Sequence, residues 1–173
     1  METKPRILYL FRILEQYTDE EHPLTTKQLI DKLQDEYGIS AHRTTLTKDI
    51  AALQEFGVDI VTVHSTQSKY FIGSRKFELP ELKLLIDAVE SSRFITAKKS
   101  ESLIRKIHTL TSQGQVSKLR RNNYVVDRIK PDNEQIYYIV DTINDAINEG
   151  KQISFQYYDY SGLKKKVLKN KGE

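Results

Sequence analysis

Residues 41–72 set an amphipathic helix directly ahead of a β-hairpin, and that order leaves few folds open. Leu46, Ile50 and Leu53 share one helical face, at spacings of four and three. Thr44, Lys48 and Glu55 project from the opposite side, flanked by Thr45, Thr47 and Ala51. The pattern predicts a helix over roughly 41–56, with Ser40 as the preferred N-cap, His42 as a second possible start, and Gly57 closing it. Two β-rich runs follow, Asp59–His64 and Ser68–Ile72, joined by Ser65-Thr66-Gln67, which is a hairpin pattern.

Two more helices precede this unit. Ile7–Leu14 is apolar nearly all round, as a well-buried helix is, with Pro5 suited to its first turn and the polar Thr18–Pro23 ending it. A second helix carries Leu29, Ile30 and Leu33, with Thr25 or Thr26 as cap, and stops near Gly38. Three helices and then a short hairpin is the order of a winged helix-turn-helix, which assigns residues 1–75 to a DNA-binding domain.

Beyond Gly73 the texture changes. Residues 76–123 predict a helical connector. One helix starts at Pro80 with Leu82, Leu85, Ile86 and Val89 inward, and another runs from Thr96 to about Thr111 along Leu103, Ile104, Ile107 and Leu110. Within 124–173, Tyr124–Ile129 predicts a strand, and Ile136, Val140, Ile143 and Ile147 mark a helix ending at Gly150. Strands are expected over 152–158 and 163–168, around the turn Asp159–Gly162. The fold class is therefore mostly α with a small β component.

The chemistry concentrates on the third helix. B-DNA's major groove admits one α-helix, and a reading helix needs an apolar back and hydrogen-bonding or basic side chains on its first turns. His42, Arg43, Thr44, Thr45, Thr47 and Lys48 meet that need. Arg43 suits guanine edges or a phosphate, and the threonines offer hydroxyls and thymine-facing methyls. Lys48 suits a phosphate. A solvated helix face would carry similar residues, and Arg43 has the further option of pairing with Asp49 or Glu55. From His64 to Lys76 there are Lys69, Arg75 and Lys76 and no acidic residue, which makes the hairpin a cationic wing. A charged edge that resists sheet aggregation would look the same.

Global charge does not carry this reading. Residues 1–75 hold nine Lys/Arg against eleven Asp/Glu, whereas 76–173 hold eighteen against thirteen. Any case for nucleic acid rests on local placement. No apolar run approaches the ~18 residues of a membrane span, and the N-terminus does not read as a signal peptide. The absence of cysteine excludes disulfides and fits a reducing, cytoplasmic setting. His22, His42, His64 and His108 have no ligand spacing, the seven glycines stand singly, and no nucleophile motif occurs, so neither a metal site, a cofactor nor an enzymatic activity is expected. The lysines from Lys164 to Lys171 suit either nucleic-acid phosphates or a solvated tail. Tyr157, Tyr158 and Tyr160 suit either base stacking or packing.

The segment Ala41–Ile60 resembles the DNA-binding part of the WYL-domain transcriptional regulators, of DeoR-like winged-helix type. That family reads Arg-x-Thr-x-x-x-Asp-Ile-x-x-Leu and then a glycine, matched here by Arg43, Thr45, Asp49, Ile50, Leu53 and Gly57. Where the family often has an aromatic and an arginine before Asp-Ile, this chain has Thr47 and Lys48. Ile143–Tyr160 is similar to the opening of a WYL domain, in which a helix feeds a small SH3-like barrel. The Trp-Tyr-Leu tripeptide is absent and the chain has no tryptophan. The resemblance thus implies a regulator truncated early in its WYL domain, with any effector site beyond this chain. The expected partner is double-stranded DNA, and a homodimer is expected because one winged helix makes few base contacts, with the helices at 80–95 and 97–111 as its candidate surface and packing inside the monomer as the other use of those stripes. The alternative function is a winged-helix module that binds protein instead of DNA.

Overall fold

The computed structural model describes residues 3–119, 130, 133, 135–155, 158–160 and 166–168. The first half runs α1 (Thr3–Tyr17), β1 (Leu24–Thr25), α2 (Thr26–Tyr37), α3 (Arg43–Glu55), β2 (Ile60–Val63) and β3 (Lys69–Ile72). The strands form one antiparallel sheet in the order β1-β3-β2, with Leu24 opposite Tyr70 and Ile60 opposite Ile72. Leu10, Ile13 and Leu14 of α1 pack with Leu29 and Leu33 of α2, with Leu46, Ile50 and Leu53 of α3, and with Ile60, Tyr70 and Ile72 of the sheet. These side chains are the apolar stripes of the sequence, and burying them is the main force that docks three helices on so small a sheet.

Local chemistry fixes the helix ends. Thr25 caps α2, its hydroxyl accepting from the Gln28 amide at 3.2 Å while Gln28 Oε1 accepts from the Thr25 amide at 2.8 Å. Gly38 ends α2 at φ 65°, a left-handed conformation that glycine adopts without strain. Two expectations at α3 are corrected. The helix begins at Arg43 with His42 as N-cap, and Ser40 does not cap it. The Ser40 hydroxyl instead donates to Gln34 Oε1 at 3.1 Å, back toward α2. Strand β1 has no counterpart in the sequence reading.

The second half contains α4 (Leu79–Ser91), α5 (Ala97–His108), α6 (Gln113–Leu119), α7 (Gln135–Asn148), β4 (Tyr158–Tyr160) and β5 (Lys166–Leu168). Leu82, Ile86 and Leu119 form a small core, lined by Leu79, Ile104 and Ile107. Leu85, expected inward, is 38% exposed, because the α4 face that meets α5 and α6 is centred on Leu82 and Ile86. Leu110 lies past the end of α5 and is 39% exposed. The expected strand over 152–158 is also corrected. Residues 151–155 form no strand, and the antiparallel ladder pairs Tyr158 with Leu168 and Tyr160 with Lys166, so Asp159 and Tyr160 lie in a strand rather than the expected turn. The strand expected at Tyr124–Ile129 lies outside the described residues. Among those residues, no helix is long and apolar enough to cross a membrane.

One polar joint ties the halves together. Asp19 is buried after α1, and its carboxylate accepts from the Glu21 and His22 amides at 3.0 Å each, from His22 Nδ1 at 2.8 Å, and from the Ser112 hydroxyl. Ser112 in turn accepts from the Gln115 amide at the start of α6, and Lys118 pairs with Glu21 at 2.6 Å. Gly114 sits inside α6 against the His22 ring, so close that a Cβ there would lie 2.5 Å from Nδ1.

Burial would raise the Asp19 carboxyl pKa, but the bonds from Ser112 and His22, helped by the Glu21 amide, outweigh it and hold the group below its usual range. Such a depressed carboxyl stabilises the fold fully above its unfolded value of about 3.9, and the contribution disappears as pH falls through the folded value. The stability gap between wild type and Asp19→Asn therefore narrows from about pH 5 down to about pH 3. Urea titrations across that range measure it, and a gap that widens toward acid would contradict the assignment.

Candidate nucleic-acid interface

The interface is built outward from the back of α3. Leu46, Asp49, Ile50 and Leu53 are its buried residues. A carboxylate in that stripe demands a partner, and Arg6 of α1 supplies it through two bonds, Nε to Oδ2 at 2.7 Å and Nη2 to Oδ1 at 3.1 Å. Both side chains are only 11% exposed. The bonds to Asp49 raise the Arg6 pKa against the opposing effect of burial. A two-pronged guanidinium–carboxylate contact also fixes orientation, because both groups are planar. The rotation of α3 about its own axis is thus set by one ion pair as well as by leucines.

That rotation turns a polar face outward. His42, Arg43, Thr44, Thr47 and Lys48 are exposed, and Thr45 is half-buried. The Thr47 hydroxyl donates to the Arg43 carbonyl at 3.0 Å, which leaves its lone pairs free to accept. Among the described residues the Arg43 guanidinium and the Lys48 ammonium make no hydrogen bond or ion pair. Arg43 pairs with neither Asp49, which Arg6 takes, nor Glu55. His42, in extended conformation at φ −93° and ψ 152°, lends no side-chain cap to the first amides of α3.

Arg43 also borders a depression of about 350 Å³ between Thr26, Lys27 and Ile30 of α2 and the hairpin turn at Thr66 and Gln67. The structure thereby groups the start of α3, the start of α2 and the tip of the hairpin around one concave surface. Lys27, exposed and without an ion pair among the described residues, joins the site although the sequence reading passed over it. The signal for it was only its place in the first turn of a helix.

The two remaining predicted residues are placed differently. Lys69 lies on β3, opposite Thr25 and Val63, and is half-buried. Arg75 stands apart from the group. Its Nη2 donates to the carbonyls of Glu15 and Thr18, at 2.7 Å each, so the side chain satisfies the C-terminus of α1. Comparison of the chain with protein-family models, with curated proteins and with solved structures gives no match in any of the three.

Proposed function

We propose that residues 1–75 form a winged helix-turn-helix that binds double-stranded DNA, as part of a transcriptional regulator of the WYL-domain, DeoR-like kind. The observation that carries the reading is the orientation of α3. Its back is fixed by Leu46, Ile50, Leu53 and the Arg6–Asp49 pair, while Arg43, Thr44, Thr47 and Lys48 stand exposed in front. In this reading the first turns of α3 enter the major groove, with Arg43 and the threonines at base edges and Lys48 on a phosphate. Lys27 and the hairpin turn meet the flanking backbone, with Lys69 behind them. Arg75, whose Nη2 donates to the Glu15 and Thr18 carbonyls, stands apart from the α3 group. The mechanism is binding without catalysis, and two copies on two half-sites would supply the specificity that one reading helix lacks.

Phe56, 86% exposed at the end of α3, favours the second reading, a protein-interaction module. Amide chemical-shift mapping with a pool of random duplexes separates the two. The DNA reading predicts shifts at 42–48, 26–27 and 65–69, with 56–58 unmoved. Shifts absent from α3, or centred on Phe56, would favour the protein-binding module.

A further inference from the structure

A second concave site lies away from the α3 face. A cleft of about 610 Å³ opens between α1, the turn that follows α3, the segment leading from β3 into α4, and the residues just past α5. That volume is in the range of small-molecule pockets, about 300–1,000 Å³. Its apolar lining comprises Phe11, Val58, Ile72, Phe77 and Leu110. Phe77 and Leu110 are 37% and 39% exposed, so the cleft holds apolar surface that the described residues do not cover.

Arg75 gives the cleft a polarity. Its Nη2 is spent on the two α1 carbonyls, but Nε and Nη1 make no hydrogen bond among the described residues, which leaves three N–H donors on a half-buried guanidinium. Burial is the leading influence on the group and lowers its pKa despite the nearby carboxylates of Glu15 and Asp19. An anion beside Arg75 would relieve that cost. Lys76 adds a second cation, whereas Glu15 and Asp59 put two carboxylates on the lining. These charges cancel, so the preference for one anionic group rests on the unused Arg75 donors, while a polyanion such as a nucleotide would meet both carboxylates.

We propose that the cleft binds a small organic monocarboxylate, with its carboxylate on Arg75 and its apolar body against Phe11, Val58, Phe77 and Leu110. The walls belong to both halves of the chain, so an occupant fixes the turn after α3 relative to α5. The ligand site stands independently of DNA binding, and only a regulatory effect on operator affinity would rest on that reading.

The test is an amide-shift titration of the full chain with octanoate, without DNA, so that a failed DNA reading leaves it intact. Octanoate is expected to move the amides of 57–59, 72–77 and 109–110 saturably. Acetate, which lacks the body, and octylammonium, which reverses the charge, are expected to leave them in place at equal concentration. Arg75→Met should weaken octanoate at least tenfold. Because Arg75 also holds α1, Leu110→Trp provides an independent variant, filling the cleft from a partly exposed position. It should abolish the octanoate shifts while the rest of the spectrum is retained. No saturable shift with octanoate, equal shifts with octylammonium, or undiminished binding by Leu110→Trp would overturn the proposal.

Discussion

Asp49→Ala is expected to lower the unfolding free energy by about 3–5 kcal/mol, the usual cost of removing one partner from a buried ion pair. The loss does not measure the strength of the Arg6–Asp49 attraction. Most of it comes from the Arg6 guanidinium, left 11% exposed with both of its carboxylate bonds gone. The double variant Arg6→Met/Asp49→Leu should therefore recover most of the stability, since it removes both charges and keeps the volume. Urea unfolding of the single and double variants provides the measurement, read as midpoints at a common slope. A single-variant loss below about 1 kcal/mol would mean that water screens the pair as it does on a surface.

Leu46→Ala should cost about 2–5 kcal/mol for a different reason. Leu46 is fully buried where α3 meets α1 and α2, and truncation removes apolar contact and leaves a cavity that rigid helices fill only partly. Its neighbour Thr47, which is exposed, carries none of that burden. If α3 reads DNA as proposed, the variant should keep its DNA affinity within about threefold well below the unfolding transition, because the proposed contacts lie on the face opposite the packing. A loss of affinity that matches the loss of stability would show that the exposed face depends on the core for its shape.

The same helix shows what a sequence reveals and what it hides. Leu46, Ile50 and Leu53 announce their face by spacing alone, since burial follows the helical period. The role of Asp49 is invisible in that pattern, because its partner Arg6 lies forty-three residues away. For the same reason Arg75 looks like one more wing cation until the carbonyls of α1 appear beside it. Strand β1 is two residues long, too short for alternation to register, and it exists because β3 offers an edge to pair with. Helix α6 escaped notice because its seven residues are mostly polar and its hold on the fold is Leu119 and the Ser112–Asp19 bond. Ile153 and Phe155 alternate as a strand does, yet both are exposed, because the ladder forms further along at Tyr158–Tyr160. Local pattern is enough for the longer helices and the hairpin. Long-range polar pairing decided how they are joined.

The central claim is that the exposed face of α3 reads duplex DNA. Fluorescence anisotropy with pooled random-sequence duplexes at two salt concentrations, for wild type and for the Arg43→Ala/Thr44→Ala/Lys48→Ala variant, tests it most directly. All three positions are exposed, so the variant should fold as wild type does. The prediction is binding that weakens steeply with salt, as phosphate contacts require, and that falls at least tenfold in the variant. Absence of binding at low salt, or binding that the variant keeps unchanged, would contradict it.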